Sequence, residues 1–484
     1  MKIEIISCAI LSLVFFLGTD RLPKPAFNSG SRITVLYEED IKWVNPQVFG
    51  TNVIVSLPVT PENKSGFYDY GGGFWDPDLK IVPPGIKKIF EDAKFSVIRF
   101  QTDTRDYVWE NTVGPGRTQW RYGIDEYLDS AESVGAETSL IIDWWKCSPE
   151  SAATLVARCA GRVKYFEIGN EISHSAFGIP AEQYVAKYLK YYDAMKAVDP
   201  DIKLGVPFIY HHWPYYNALL AIKDKIDFLI PHNYPAPWIH PTAPEHVIPP
   251  NYYLLELSRT LILDAQYKSM VADFGKPIAV TEYNGGFMDW EQREYRWNLS
   301  QALIIADMIK QLVENDVLYA NQFDFLTYGF GMVSSDFTHS KNFGLPTHLN
   351  DPYYLRPIYY VYKLYADHFK AILVNTEVIS EMVNKNLEYL SVTASKAYGD
   401  SSICVMAINR KDQPMNVDIY IPGFTAPSTV MTYSLEGKPG TTLESHNENG
   451  ELVGIVTSSA HFENEVCNVT LSKYSMTAIV INKK

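Results

Sequence analysis

Long apolar runs are almost missing from this 484-residue sequence. The exception lies near the start, from Ala9 to Leu17 after Lys2, and reads as an export signal over residues 1–22. That reading predicts a secreted or periplasmic protein. With the signal removed, no run is long enough to span a bilayer, so no stable membrane insertion is expected. Cysteine is scarce, at 5 residues. Cys8 falls in the signal; Cys147, Cys159, Cys404 and Cys467 fit either two disulfides, with Cys147–Cys159 and Cys404–Cys467 as the local pairings, or four buried free thiols. Blocks of Lys or Arg are absent and the formal charge is −14, which argues against a polyanionic partner, and no nucleic acid is expected. Signatures of metal or phosphate sites are also lacking. No His-Glu-x-x-His occurs, His211 and His212 are adjacent rather than spaced on one face, and Gly71-Gly72-Gly73 lacks a following Lys-Ser/Thr. No metal and no cofactor are expected. Internal repeats and low-complexity segments are missing as well.

Aromatic residues, by contrast, make up 14% of the chain. Such side chains can stack on sugar faces, but most will be core, so composition decides little. Order along the chain says more. Short apolar runs at 48–56, 96–102, 137–143, 163–171, 202–208, 227–234, 278–284 and 320–327 read as buried strands, each followed by helical or loop-rich sequence. Segments such as 181–198 and 295–313 carry helical apolar spacing, and Pro180 and Asp199-Pro200 punctuate the first of them. This alternation predicts a (β/α)8 TIM barrel. From about residue 372 the rhythm changes to strand-like segments at 387–397, 402–410, 416–422, 430–435, 452–458 and 468–482 with no helix between them. The expected fold class is therefore α/β plus all-β. A TIM barrel over 46–368 carries a C-terminal antiparallel β-sandwich over 369–484, completed by an N-terminal strand within 23–45.

One stretch resists a packing explanation. Val163 to Ile172 reads Val-Lys-Tyr-Phe-Glu-Ile-Gly-Asn-Glu-Ile, an apolar strand that ends abruptly in Gly169, Asn170 and Glu171. A buried carboxylate needs a partner. The seventh strand ends alike, in Ile-Ala-Val-Thr-Glu-Tyr-Asn, which places Glu282 at its close. In such barrels the site lies at the C-terminal ends of the strands, and strands four and seven face one another across the mouth. Two opposed carboxylates suit glycoside hydrolysis, one protonating the leaving oxygen and the other attacking or activating water. The bland alternative, two unrelated glutamates, weakens when both close buried strands at the same height. Adjacent residues of a regular strand face opposite ways, so Asn170 and Glu171 can share the site only if Gly169 permits a kink. Arg99, near the end of strand two, is placed to hold Glu282 ionised, although it could instead pair with another barrel carboxylate. His232 and Tyr234 end strand six, where a tyrosine hydroxyl can donate to Glu282. Trp144 and Trp145 end strand three and could wall a sugar subsite, with plain packing expected for at least one of them.

These motifs resemble clan A glycoside hydrolases, in which Asn followed by the acid/base Glu ends strand four and the nucleophile ends strand seven. The resemblance implies Glu171 as acid/base, Glu282 as nucleophile, Asn170 on the sugar 2-hydroxyl, and His232 and Tyr234 as supports. Within the clan the chain is most similar to family 51 α-L-arabinofuranosidases. Val44-Asn45-Pro46-Gln47-Val48-Phe49-Gly50, Gly114-Pro115-Gly116-Arg117, Tyr122-Gly123-Ile124-Asp125-Glu126-Tyr127, Ala194 to Pro200 and the final strand Tyr474 to Ile481 carry that likeness. Two departures fall at the substrate end. Phe-Gln-Thr-Asp-Thr follows Arg99 where the family has Pro-Gly-Gly-Asn, and Asp143-Trp144-Trp145 stands in place of Val-Asn. The resemblance implies a retaining enzyme that needs no cofactor and acts on oligo- or polysaccharide glycans. An arabinofuranosidase heads the readings, followed by a β-xylosidase, β-glucosidase or β-glucuronidase, or a non-catalytic sugar-binding protein. The cleaved sugar rests on loops such as 68–77 and 235–250, and the oligomeric state is open.

Overall fold

The computed structural model describes residues 27, 29–54, 71–102, 107–117, 120–173, 178–208, 212–234, 265–285, 297–326, 330–335, 353–384, 387–447 and 450–484. The signal-like segment 1–22 and the 235–250 loop lie outside the described residues. The chain enters through β1 (Ser31–Trp43) and then builds a ring of parallel strands. These are β2 (Gly50–Ile54), β3 (Val97–Gln101), β4 (Glu137–Ile142), β5 (Tyr165–Ile168), β6 (Lys203–Pro207), β7 (Phe228–Ile230) with its continuation β8 (His232–Asn233), β9 (Ile278–Tyr283) and β10 (Val317–Gln322). β10 pairs with both β2 and β9, which closes the ring. Helices Pro84–Asp92, Ile124–Ser133, Pro149–Cys159, Ala181–Val198, Trp213–Leu220, Ala265–Phe274, Leu299–Glu314 and Pro357–His368 alternate with the strands. Local sequence sets their starts. Ser148 caps the helix that begins at Pro149 by accepting from Ser151 N at 3.1 Å, and Asn298 caps the next-to-last helix through Gln301 N at 3.0 Å.

Strand alternation sorts the barrel interior into layers. Toward the strand N-termini, Val97, Tyr165, Phe228, Ala279 and Tyr319 form an apolar plug. One step up the inward positions turn polar, with Arg99, Ser139, Glu167 and Thr281 all buried. Above them lies the mouth.

The small pair β11 (Val333–Ser335) and β12 (Tyr353–Leu355) follows the barrel. The second unit comprises β13 (Ile372–Ile379), the short β14 (Met382–Asn384) and β15 (Leu387–Glu388), β16 (Leu390–Lys396), β17 (Ser402–Asn409), β18 (Met415–Tyr420), β19 (Thr429–Gly437), β20 (Val453–Glu463), β21 (Val466–Leu471) and β22 (Ser475–Asn482). β1 joins it, antiparallel to β13 and parallel to β18, so the N-terminal strand completes the sandwich as its alternating sequence suggests. It lies within the expected 23–45, and a register shift after Leu36 lets the chain continue along β13 as far as Trp43. A buried ion pair fastens the two units. Arg410 binds Asp307 of the barrel helix Leu299–Glu314 through Nε (3.0 Å) and Nη2 (2.7 Å), and Ser391 Oγ adds a 2.6 Å bond to the same carboxylate.

Disulfides do not form among the described cysteines: Cys147, Cys159, Cys404 and Cys467 are all free and buried. The helix Pro149–Cys159 holds the first two apart by roughly 15 Å, far beyond disulfide reach. Cys404 packs toward the barrel, whereas Cys467 faces the sandwich interior. No described helix is long and apolar enough to cross a membrane.

Candidate active site

The exit of β5 is where Gly169 matters. Its φ is +79°, and Glu171 also lies in the left-handed region at +50°. A Cβ at position 169 would stand 2.5 Å from Ile172 Cγ1, so both space and backbone call for glycine. The two left-handed residues break the alternation and turn Asn170 and Glu171 toward the mouth together. Asn170 Oδ1 accepts from Arg99 Nη2 at 2.8 Å, which aims its amide hydrogens away from the guanidinium. Glu171 Oε1 lies 2.8 Å from His232 Nδ1.

β9 solves the same problem by another route. Ala320 pairs with Val280, yet Gln322 pairs with Tyr283, so β9 holds one extra residue at this point. This bulge lets Thr281 and Glu282 both face inward, while Tyr283 turns out and meets Tyr362 of the last barrel helix at 2.5 Å. Glu282 is 5% exposed. Arg99 Nη1 donates to its Oε1 at 2.7 Å, and Tyr234 OH donates to its Oε2 at 2.7 Å.

Arg99 is the hub. The residue is fully buried, and all five of its N–H hydrogens have partners. Nε spans both oxygens of Glu167 at 3.0 Å, Nη1 serves Asn52 (3.0 Å) and Glu282, and Nη2 serves Glu167 (2.9 Å) and Asn170. Glu167, at 1% exposure, also accepts from Thr281 Oγ1 (3.2 Å) and meets the Ser139–Tyr319 hydroxyl pair. Burying charges costs several kcal/mol per ion unless every lone pair and hydrogen is used, and this layer uses them.

The electrostatics follow. Burial works against a charge on Arg99, but Glu167 and Glu282 outweigh it and hold the guanidinium above its ordinary value. Burial likewise opposes a proton on His232; the charge of Glu282, then the hydrogen bond and charge of Glu171, reverse that and raise its affinity for protons above the usual imidazole value. Tyr234 is pushed far up by burial and by Glu282, so it remains a donor.

Across the mouth, carboxylate oxygens of Glu171 and Glu282 and a nitrogen of His232 all lie within 4.8 Å of one another. Three such atoms could surround a cation. Here the Arg99 guanidinium sits against Glu282 and already supplies positive charge, while Glu171 and His232 engage each other.

The structure thus gathers Glu171, Glu282, Asn170, Arg99, His232 and Tyr234 at one mouth. Trp144 is a correction: in the turn after β4 it is 3% exposed and stacks on Tyr184 of the helix Ala181–Val198 at 4.9 Å, so it packs against the helix layer and does not wall a sugar subsite. Trp145 is 52% exposed, on the turn after β4. Sequence reasoning missed Glu167, Thr281, Asn52 and Tyr319. Glu167 stands inside the quoted motif, two residues from Tyr165 on the inward face, and a buried carboxylate there called for a cation.

No family model matches the chain, and no curated protein matches its sequence. Solved structures do match in fold. The α-L-arabinofuranosidase of Thermotoga maritima, solved as an arabinose complex, superposes with TM-score 0.71 at 18% identity, over 93% of this chain and 100% of that one. The family 51 enzymes of Bifidobacterium longum (TM-score 0.73, 12% identity) and Xanthomonas axonopodis pv. citri (TM-score 0.73, 18% identity) each align with 94% of this chain and 100% of their own. The chain has the barrel-plus-sandwich fold of clan A glycoside hydrolases. Within that clan, it is the fold of the family 51 α-L-arabinofuranosidases.

Proposed function

We propose that the protein is a retaining glycoside hydrolase of α-L-arabinofuranosidase type. One observation carries the reading: two carboxylates face each other within 4.8 Å across the barrel mouth, in different surroundings. Glu282 is held by a guanidinium and a phenol, as suits a nucleophile. Glu171 is half-buried against His232, as suits a group that gives and takes a proton. In the first half-reaction Glu171 passes its proton to the glycosidic oxygen as that bond breaks, and a Glu282 oxygen bonds to the anomeric carbon. In the second, water attacks the same carbon, its proton goes to Glu171, and Glu282 leaves. Asn170, oriented by Arg99, presents its amide hydrogens where a 2-hydroxyl would lie. The arabinofuranoside preference draws support from the fold likeness alone.

A panel of aryl glycosides (arabinofuranoside, xyloside, glucoside, galactoside, glucuronide, fucoside) tests the reading. Glu282→Ala should lose hydrolysis of whichever substrate the parent cleaves. Glu171→Ala should lose poor leaving groups far more than activated ones, which need no proton. Undiminished turnover in Glu282→Ala sinks the mechanism. Sugar binding with no turnover in parent or variants would identify a binding protein instead.

A further inference from the structure

An unbroken chain of contacts joins the two mouth carboxylates through the barrel interior. Glu171 Oε1 lies 2.8 Å from His232 Nδ1, and His232 Nε2 lies 3.1 Å from Thr281 Oγ1. Thr281 Oγ1 donates to Glu167 Oε2 at 3.2 Å, and Arg99 spans Glu167 and Glu282. A threonine hydroxyl has one hydrogen and two lone pairs. Glu167, paired with Arg99, is an acceptor and takes that hydrogen. The Thr281 lone pair therefore faces His232, and the ring nitrogen opposite it must carry hydrogen. Nε2–H is fixed, and Nδ1 becomes the nitrogen that shares a proton with Glu171.

We propose that Thr281 is a positioning residue: by presenting an acceptor to Nε2, it holds His232 in the tautomer that lets the His232–Glu171 pair release the proton taken by the leaving group. The inference rests on the acid/base reading of Glu171. With Nε2–H in place, the proton between Nδ1 and Oε1 can depart and leave a neutral imidazole beside a carboxylate. The second half-reaction returns one proton from water to the same pair as Glu282 is released. In the opposite tautomer the only ring hydrogen sits on Nδ1, and surrendering it would leave an imidazolate. Glu171 would then face a donor that fixes it as a carboxylate, and acid catalysis would fail. The charged and titratable groups acting on the ring among the described residues are Glu171 after β5, Glu282 on β9 and Arg99 on β3, with Tyr234, just beyond β8, donating to Glu282. The raised proton affinity of His232 agrees with a ring that keeps Nε2–H and gains a second proton on Nδ1.

Thr281→Val removes the hydroxyl at nearly constant volume, and Thr281→Ser keeps it. Two readouts apply. Ring-¹⁵N-labelled histidine NMR, with His232 assigned by its loss in His232→Asn, should show protonated Nε2 in the parent and in Thr281→Ser, and a tautomer mixture in Thr281→Val. On poor leaving groups, Thr281→Val should lose kcat about tenfold with little change in KM, and the basic limb of kcat/KM should move down by about one pH unit; Thr281→Ser should restore both. An active parent whose Thr281→Val variant keeps the parental resonances and pH profile overturns this inference alone. A parent with the expected tautomer that hydrolyses nothing on the panel sinks the glycosidase reading and leaves the tautomer assignment standing.

Discussion

Replacing Arg99 by lysine keeps the charge and removes the geometry. The guanidinium spends five hydrogens on Glu167, Asn52, Glu282 and Asn170, whereas an ammonium has three on a single, nearer nitrogen. Lysine at this position should stay with Glu167, the more deeply buried carboxylate, and give up Glu282 and Asn170. A hydrogen bond to a charged group contributes about 1.5–3 kcal/mol, so two lost bonds amount to about 3–6 kcal/mol. Water from the open mouth recovers part of this, which leaves about 3 kcal/mol in the transition state. At 1.36 kcal/mol per decade that is about a 10²-fold loss of kcat/KM. The loss should fall mainly on kcat, because Glu282 and Asn170 act hardest on the developing oxocarbenium ion. The assay is steady-state kinetics on the best substrate of the aryl glycoside panel, with thermal unfolding beside it to confirm a folded variant. A folded Arg99→Lys enzyme within fivefold of the parent would refute the assignment of Arg99 as the hub.

Gly169→Ala forces a left-handed alanine whose Cβ meets Ile172, so it should cost about 2–4 kcal/mol in stability and lower kcat by displacing Asn170 and Glu171; parental kinetics and denaturation midpoint would count against the kink. Asp307→Ala leaves Arg410 buried without its carboxylate and should cost about 3–5 kcal/mol, measured by urea denaturation; a loss under 1 kcal/mol would mean that this pair does not fasten barrel to sandwich. His232 has a raised proton affinity in the folded state, so its contribution to stability is full below its ordinary value of about 6.5 and is lost as pH rises through the higher folded value. The melting temperature of the parent should therefore decline over that window more steeply than that of His232→Asn, and identical slopes would show that the proton is not linked to folding.

Much of this site is legible in the sequence, for a physical reason. Glu171 and Glu282 terminate apolar strands, and a carboxylate there conflicts with burial so sharply that few explanations survive. Gly169 beside Asn170 and Glu171 announced a break in alternation, and the positive φ values at 169 and 171 are that break. The β9 bulge had no such marker. Thr281 precedes Glu282, and strict alternation assigns them to opposite faces; only the 320–280 and 322–283 pairings reveal the extra residue. Glu167 escaped notice because its partner, Arg99, was already assigned to Glu282, and a guanidinium can serve two carboxylates at once. Trp144 was ambiguous from the start, since the sequence does not say which of two adjacent tryptophans looks inward. The cysteines resolved against pairing because sequence proximity ignores an intervening helix and opposite strand faces.

The four buried thiols give the molecule its own gauge of unfolding. Burial pushes Cys147 up to about 11 and Cys159, Cys404 and Cys467 up to about 12, so in the native state little thiolate forms and few reagents reach it. Two of the four sit in the barrel and two in the sandwich. Alkylation of these four therefore proceeds through opening, and barrel and sandwich each carry their own pair of timers. If the two pairs are labelled at one rate, the Arg410–Asp307 clasp holds both units to a single opening event. Separate rates would give the opening free energy of each unit individually, with no engineered probe required.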